Sequence, residues 1–264
     1  VTGGSRVLLT GAAGLIATAL RDRLPPLGWD VRSFDRVPVD GGLVGDLANP
    51  TDLDAAVTGV DAIAHFAGQP TEAPWPVVRD ANIDGLVNLF EAARRHDVRR
   101  VVFASSNHAT GFTPVPTDGT EVPADVAPRP DTLYGVSKAF GEALGRYYVD
   151  RYGFEVACLR IGTCQPRPGD RRGLSTWLSF DDCARLVDAT LRAPSLTFAV
   201  VWGVSANTRR TWSLDAGRAL GYEPVDDAEQ FAADLDAAPE LASDDYVGGA
   251  FTTAEFGQDE VGRW

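Results

Sequence analysis

The 264-residue chain carries 24 basic and 37 acidic residues, a net charge of −13, and its residues are 44% hydrophobic. This size and apolar content suffice for a buried core without disulfide or metal staples. The acidic balance speaks against a nucleic-acid partner, and no apolar run reaches the roughly 18–20 residues of a membrane span.

In chain order, Arg6–Thr10 is a short apolar run ended by Gly11, and it predicts a buried strand. Gly14 to Leu24 has helical spacing and stops at Pro25-Pro26. Val31–Phe34 predicts a second strand ending at Asp35, and Val44 leads into Gly45-Asp46-Leu47 with a helix from Pro50. Ala62–Phe66 is a further strand, Pro76 to His96 a long helix, and Arg100–Ser106 a strand that turns polar at its end. Five prolines between Thr113 and Thr132 mark a polar connection too long for a simple turn, expected to act as an active-site flap. A helix over Tyr134–Tyr152, ended by Gly153, and a strand over Glu155–Ile161 follow. Beyond Gly162 come a Pro/Gly-rich loop, a helix over Phe180–Arg192, a strand over Ala199–Val204 and a helix over Trp212–Leu220. Strands alternating with helices imply an α/β, Rossmann-type doubly wound parallel sheet. Residues 1–162 read as its core, and 163–264 as a small substrate-side region packed on it.

The opening, VTGGSRVLLTGAAG, does not read as a signal peptide, because glycines interrupt its apolar run. Cys158, Cys164 and Cys183 are odd in number and lack metal-ligand spacing. They predict free thiols in a reducing cytoplasm and no metal site.

Thr10–Ala17 reads TGAAGLIA between the first strand and the first helix. Gly11 suits the tight turn, Gly14 lets the backbone approach a pyrophosphate, and Leu15 and Ile16 open the helix whose free N–H groups attract anions. Asp35, about 20 residues on, ends the second strand where a carboxylate accepts from ribose hydroxyls. It would repel the extra phosphate of NADP, so the cofactor expected is NAD, although the neighbouring Arg36 could pair with that phosphate. Asp46 and Leu47 either frame the adenine or, for Asp46, cap a helix. Ala67-Gly68 would pass its backbone close to the cofactor.

Tyr134-Gly135-Val136-Ser137-Lys138 spaces a phenol and an ammonium four residues apart on one helix face. An ammonium near a phenol favours the phenolate, so Lys138 is expected to lower the Tyr134 pKa. All other basic residues are Arg: Lys138 is the single lysine of the chain. Ser106 ends its strand where parallel sheets bind ligands. Asn82 inside the long helix would link to Lys138 through water or make a structural side-chain bond.

Together, TGAAGLIA, Asp46-Leu47, Ser106 and YGVSK resemble the extended short-chain dehydrogenase/reductase superfamily. FASSNHATGF, LYGVSKAFGE, LRIGTCQPRP, RRGLSTWLSFDD and VVWGVSAN narrow the resemblance to uronate dehydrogenases, over nearly the whole chain. The resemblance implies NAD-dependent oxidation of the anomeric carbon of galacturonate or glucuronate to the aldarolactone. Tyr134, Lys138 and Ser106 would be catalytic. Asn107, His108 and Thr163 would meet the sugar, and Arg172 would grip its carboxylate with two parallel hydrogen bonds. Arg171 is read as solvated, Cys164 as packing, and His65 and His96 as structural. A family Ser after the fourth strand is here Pro70, beside Thr71, which would move one substrate contact. The resemblance also implies a homo-oligomer.

Two other readings stand beside this one. A sugar-nucleotide epimerase or dehydratase would retain NAD, but needs a larger C-terminal lobe than about 100 residues. A non-catalytic NAD-binding protein would not need the Ser/Tyr/Lys set.

Overall fold

The structure is a computed structural model describing residues 5–236, 245–254 and 256. The first four residues of the opening stretch, on which the signal-peptide expectation partly rests, lie outside the described residues.

Strand β1 (Arg6–Thr10) is followed by β2 (Asp30–Asp35), β3 (Leu43–Val44), β4 (Ala62–His65), β5 (Arg100–Ser106) and β6 (Glu155–Ile161). Two short strands, β7 (Thr163–Cys164) and β8 (Trp177–Leu178), pair only with each other, and β9 (Phe198–Gly203) returns to the main sheet. Among the described residues that sheet has seven strands in the order β3-β2-β1-β4-β5-β6-β9, every pair parallel. Residues after 162 thus supply its last strand. The order reverses between β1 and β4, a switch point at which such sheets open a crevice beyond the strand ends.

Both sheet faces are covered, which is why the central strands β1, β4, β5 and β6 carry apolar runs rather than strict alternation. Helices α1 (Leu15–Arg23), α2 (Pro50–Val57), α3 (Trp75–Val78), α4 (Gly85–Arg95), α5 (Leu133–Tyr152), α6 (Gly173–Thr176), α7 (Phe180–Arg192) and α8 (Asp215–Arg218) follow in order. Leu20 of α1 and Leu186 and Val187 of α7 pack with Leu9 and Val102 on one face. Leu53 of α2, Leu89 and Phe90 of α4 and Tyr148 of α5 pack with Leu8 and Ile63 on the other. Each such fully buried side chain contributes roughly 1.5–3 kcal/mol. Local signals set the helix ends. Asn49 caps α2 by accepting from Thr51 N–H at 3.0 Å, and Thr132 caps α5 by accepting from Gly135 N–H at 2.8 Å. Gly153, at φ +69°, ends α5 in the left-handed conformation that suits glycine.

Three expectations change. The helix expected over Pro76–His96 is helical throughout, but its middle, Arg79–Asp84, widens to a π-turn. There Gly85 N–H reaches the carbonyl of Asp80, five residues back, and the extra residue turns Asn82 inward. The helix expected over Trp212–Leu220 shrinks to α8. The backbone at Thr211 and Ser213 is instead committed to a strand-like bridge with Val122, with bonds of 2.7 and 3.0 Å. The stretch from Thr113 to Thr132 is not a flap over the site. Val122 is tied to that bridge, Arg129 N–H bonds the Ala109 carbonyl at 3.0 Å, and the buried Arg160 guanidinium holds the carbonyls of Ala124 and Val126, each at 2.9 Å. Arg160 is itself paired with buried Glu142 at 2.8 Å.

Candidate active site

The carboxyl ends of β1, β2, β4, β5 and β6 open into one cavity of about 1130 Å³. Every residue singled out from the sequence for catalysis, cofactor or substrate lines it, except Asn82.

At one end the glycine turn follows β1. Gly11 has φ +72°, and a Cβ there would lie 2.6 Å from the Ala67 nitrogen, so the β1 and β4 turns meet only because this residue is glycine. Gly14 N–H closes the turn on the Gly11 carbonyl at 2.8 Å. The Asp35 carboxylate braces the loop, accepting from Ala13 N–H at 2.9 Å and from Val37 N–H at 2.8 Å. Each oxygen keeps a further lone pair for a ribose hydroxyl. Asp46 accepts from Ala48 N–H at 2.9 Å and does not cap α2, a task taken by Asn49. A glycine turn, a helix N-terminus and a carboxylate at the end of β2 are what a dinucleotide requires, so these residues fit NAD.

Asn82 stands behind this wall. It accepts from Gln69 N–H at 2.7 Å, donates to the Gln69 carbonyl at 3.1 Å and donates to Ser137 Oγ at 2.9 Å. The structural side-chain bonds read for it are present. Glu72, on the same loop, accepts from Tyr134 N–H at 2.8 Å. The loop carrying Pro70 is therefore tied to α5 at two points.

In the middle of the cavity Tyr134, Lys138 and Ser106 come together. Lys138 Nζ donates to the Ala104 carbonyl at 2.8 Å and lies over the Tyr134 and Phe103 rings, 5.4 and 5.1 Å from their centroids. Burial pushes the Tyr134 phenol up to about 12; the hydrogen bond with Ser106 opposes this, and the charge of Asp131 adds to it. Burial is the largest influence on this phenol, and burial also brings the Lys138 ammonium down to about 8.

At the other end, Ser106 Oγ accepts from His108 N–H at 3.2 Å, and Asn107 Nδ2 donates to the Val247 carbonyl at 3.1 Å. Arg172, just before α6, also donates from Nη2 to the Val247 carbonyl, and its Nη1 lies 3.5 Å from Thr176 Oγ1. Thr163 Oγ1 meets the same Thr176 hydroxyl at 3.2 Å. Gly248, Ala250 and Phe251 complete this end. Their segment has no helical or strand periodicity, so nothing in the sequence pointed to it. Arg171 is half-exposed, 3.7 Å from Asp236.

The remaining candidates are structural. His65 is buried, its Nδ1 2.7 Å from Thr10 Oγ1, and burial, then the Lys138 charge, bring it down to about 3. His96 contacts Asp54 at 3.0 Å. Cys164 lines the cavity, but contact with Cys183 and burial push its thiol well up, away from the nucleophilic thiolate.

The model of the NAD dependent epimerase/dehydratase family matches residues 7–172. A uronate dehydrogenase of Pseudomonas syringae pv. tomato is 43% identical over 261 residues, spanning 95% of this chain and 94% of its own. The crystal structure of a tyrosine-to-alanine variant of uronate dehydrogenase from Agrobacterium tumefaciens, complexed with NAD, superposes with a TM-score of 0.86 at 42% identity, covering 94% of this chain and 97% of that one. Glucuronic acid dehydrogenase from Chromohalobacter salexigens superposes with a TM-score of 0.88 at 39% identity, with coverage of 94% and 97%.

Proposed function

This chain belongs to the NAD dependent epimerase/dehydratase family, among its uronate dehydrogenases, and from that membership we propose that it oxidises the anomeric carbon of a hexuronic acid to the aldarolactone. Bound NAD supplies the hydride-accepting chemistry. Gly11, Gly14, Leu15 and Ile16 cradle its pyrophosphate, Asp35 takes the adenosine ribose, Asp46 and Leu47 border the adenine, and Ala67-Gly68 follows the middle of the molecule. Lys138 holds the second ribose and presents its charge to the ring of Tyr134. Tyr134 accepts the proton of the anomeric hydroxyl, and Ser106 orients that oxygen. Arg172 grips the sugar carboxylate, which overcomes the repulsion between an acidic protein and an acidic substrate. Asn107, His108 and Thr163 meet the sugar hydroxyls.

The observation that carries this reading is a single cavity with the glycine turn at one end, Ser106, Tyr134 and Lys138 in the middle, and a guanidinium at the far end. No helix among the described residues is long and apolar enough to cross a membrane. The three cysteines are free and buried, in keeping with a reducing cytoplasm. A homo-oligomer completes the proposal: α5 leaves Val136 and Tyr147 exposed, whereas Tyr148 belongs to the core.

The test is NADH formation from galacturonate and glucuronate, with glucose and galactose as neutral controls. Net NADH with the uronates is expected, and its absence overturns the proposal. Arg172→Ala is expected to lower kcat/KM for the uronate at least tenfold, about 1.4 kcal/mol, with NAD affinity unchanged. Lys in its place restores the charge but not the paired geometry, so Arg172→Lys remains impaired. Tyr134→Phe is expected to bind NAD and fail to turn over; full turnover would indicate another base.

A further inference from the structure

The Asp131 carboxylate is completely enclosed, although it belongs to none of the sets described above. It comes at the end of the proline-rich segment, one residue before the cap of α5. Its Oδ2 accepts from His108 Nδ1 at 2.8 Å, and its Oδ1 accepts from the Thr132 hydroxyl at 3.1 Å. A Cβ on either Gly111 or Gly248 would overlap Oδ2. Two chain segments far apart in sequence therefore use glycine to make a slot for one acidic group. Enclosing a carboxylate is costly unless it is bonded, and here the bond goes to a side chain of the cavity wall.

A carboxylate only accepts. The Nδ1 of His108 must then carry a proton, and the ring cannot turn over without taking that donor away from Asp131 Oδ2. The ring is held on its other sides as well. Its centroid is 4.3 Å from that of Phe251 and 6.0 Å from that of Tyr134. What remains for the cavity is Nε2, the nitrogen opposite the one that Asp131 engages.

We propose that Asp131 is a positioning residue that locks His108 with Nδ1–H turned to the protein interior, so that Nε2 is presented beside Tyr134 to the sugar acid. The ring state is a property of the protein alone. The consequence for catalysis rests on the function proposed above. In the neutral ring Nε2 accepts a hydrogen bond from a sugar hydroxyl; in the charged ring it donates one to an oxygen of the substrate. Either contact is lost if the ring turns over, so Asp131 acts on substrate binding without touching substrate or cofactor. This is the arrangement by which a buried carboxylate sets a histidine tautomer in catalytic triads.

Two measurements test this. The first needs no substrate. Nitrogen-15 spectra of the three histidines in the native protein and in Asp131→Asn and Asp131→Ala are expected to show His108 protonated at Nδ1 in the native protein, and no longer confined to that form in Asp131→Ala. An Nε2–H tautomer in the native protein overturns the proposal. The second is a double-mutant cycle in uronate oxidation. Asp131→Ala and His108→Ala are each expected to raise KM for the uronate about tenfold, with NAD affinity within twofold. The Asp131→Ala/His108→Ala double variant is expected to be no worse than His108→Ala alone, because the carboxylate acts only through the ring. Asp131→Asn, which retains an acceptor for Nδ1–H, is expected to fall between. Additive losses, or an unchanged KM in Asp131→Ala, overturn the proposal. If the native protein forms no NADH from uronates, the functional reading fails while the spectra still decide the state of His108.

Discussion

Asn82 donates to the Ser137 hydroxyl at 2.9 Å and, through both ends of its amide, holds the backbone of Gln69. The turn of cavity wall after β4 is thereby fastened to the helix that carries Tyr134 and Lys138. Asn82→Ala leaves buried backbone groups of that turn without partners, and is expected to cost about 1–3 kcal/mol of stability. Weaker NAD binding should accompany the loss. Denaturant unfolding and a cofactor titration measure both. Unchanged values in both would mean that the turn is held in place by other contacts.

Turnover is expected to rise with pH, because burial keeps the Tyr134 phenol protonated and only the ionised form accepts a proton. The bond with Ser106 favours ionisation. Ser106→Ala therefore moves the rise in kcat to higher pH, in addition to lowering its height. An unshifted pH profile would assign Ser106 to orientation alone.

Acid stability should depend on His65. Its folded pKa, about 3, lies below the ordinary 6.5 because the ring is buried. Above pH 6.5 both the folded and unfolded forms are neutral, and this part of the stability is intact. As pH falls from 6.5 towards 3 the unfolded chain takes up a proton that the folded one refuses, so about 1.4 kcal/mol is lost per pH unit. His65→Asn is expected to be less stable at neutral pH, since the Thr10 contact changes, but to lose less on acidification. Unfolding midpoints across this range check the difference in slope. Equal slopes would exclude His65 as the titrating group.

Glu142 and Arg160 form a buried pair, with Ser105 Oγ donating to Glu142 at 2.6 Å. Removing one partner leaves a charge enclosed, and Glu142→Leu or Arg160→Leu is expected to cost about 3–5 kcal/mol. Replacing both with apolar residues should recover much of that. Arg160→Leu also releases the carbonyls of Ala124 and Val126, so limited proteolysis should cut first between residues 113 and 132. Unaltered cleavage there would mean that the bridge of Val122 to Thr211 and Ser213 suffices.

The alternation of apolar strands and helices, the glycine turn, and the four-residue step from Tyr134 to Lys138 were all legible along the chain. Each depends on residues close together in sequence, where periodicity and backbone sterics decide the outcome. The stretch over 113–132 misled for the opposite reason. Its prolines show that it is irregular, but whether an irregular segment lies over a cavity or is pinned to the body depends on a guanidinium about 35 residues away.

What the amino-acid order by itself determined was the layer architecture, the phosphate-binding turn and the chemical types gathered at the strand ends. Only the tertiary structure decided which buried charges pair, that Asn82 braces a turn, that Asp131 faces His108, and that the Tyr134 phenol is buried against Ser106. The physical reason is that local pattern sets backbone conformation, whereas hydrogen-bond partners and desolvation are set by groups that meet only after the chain has closed on itself.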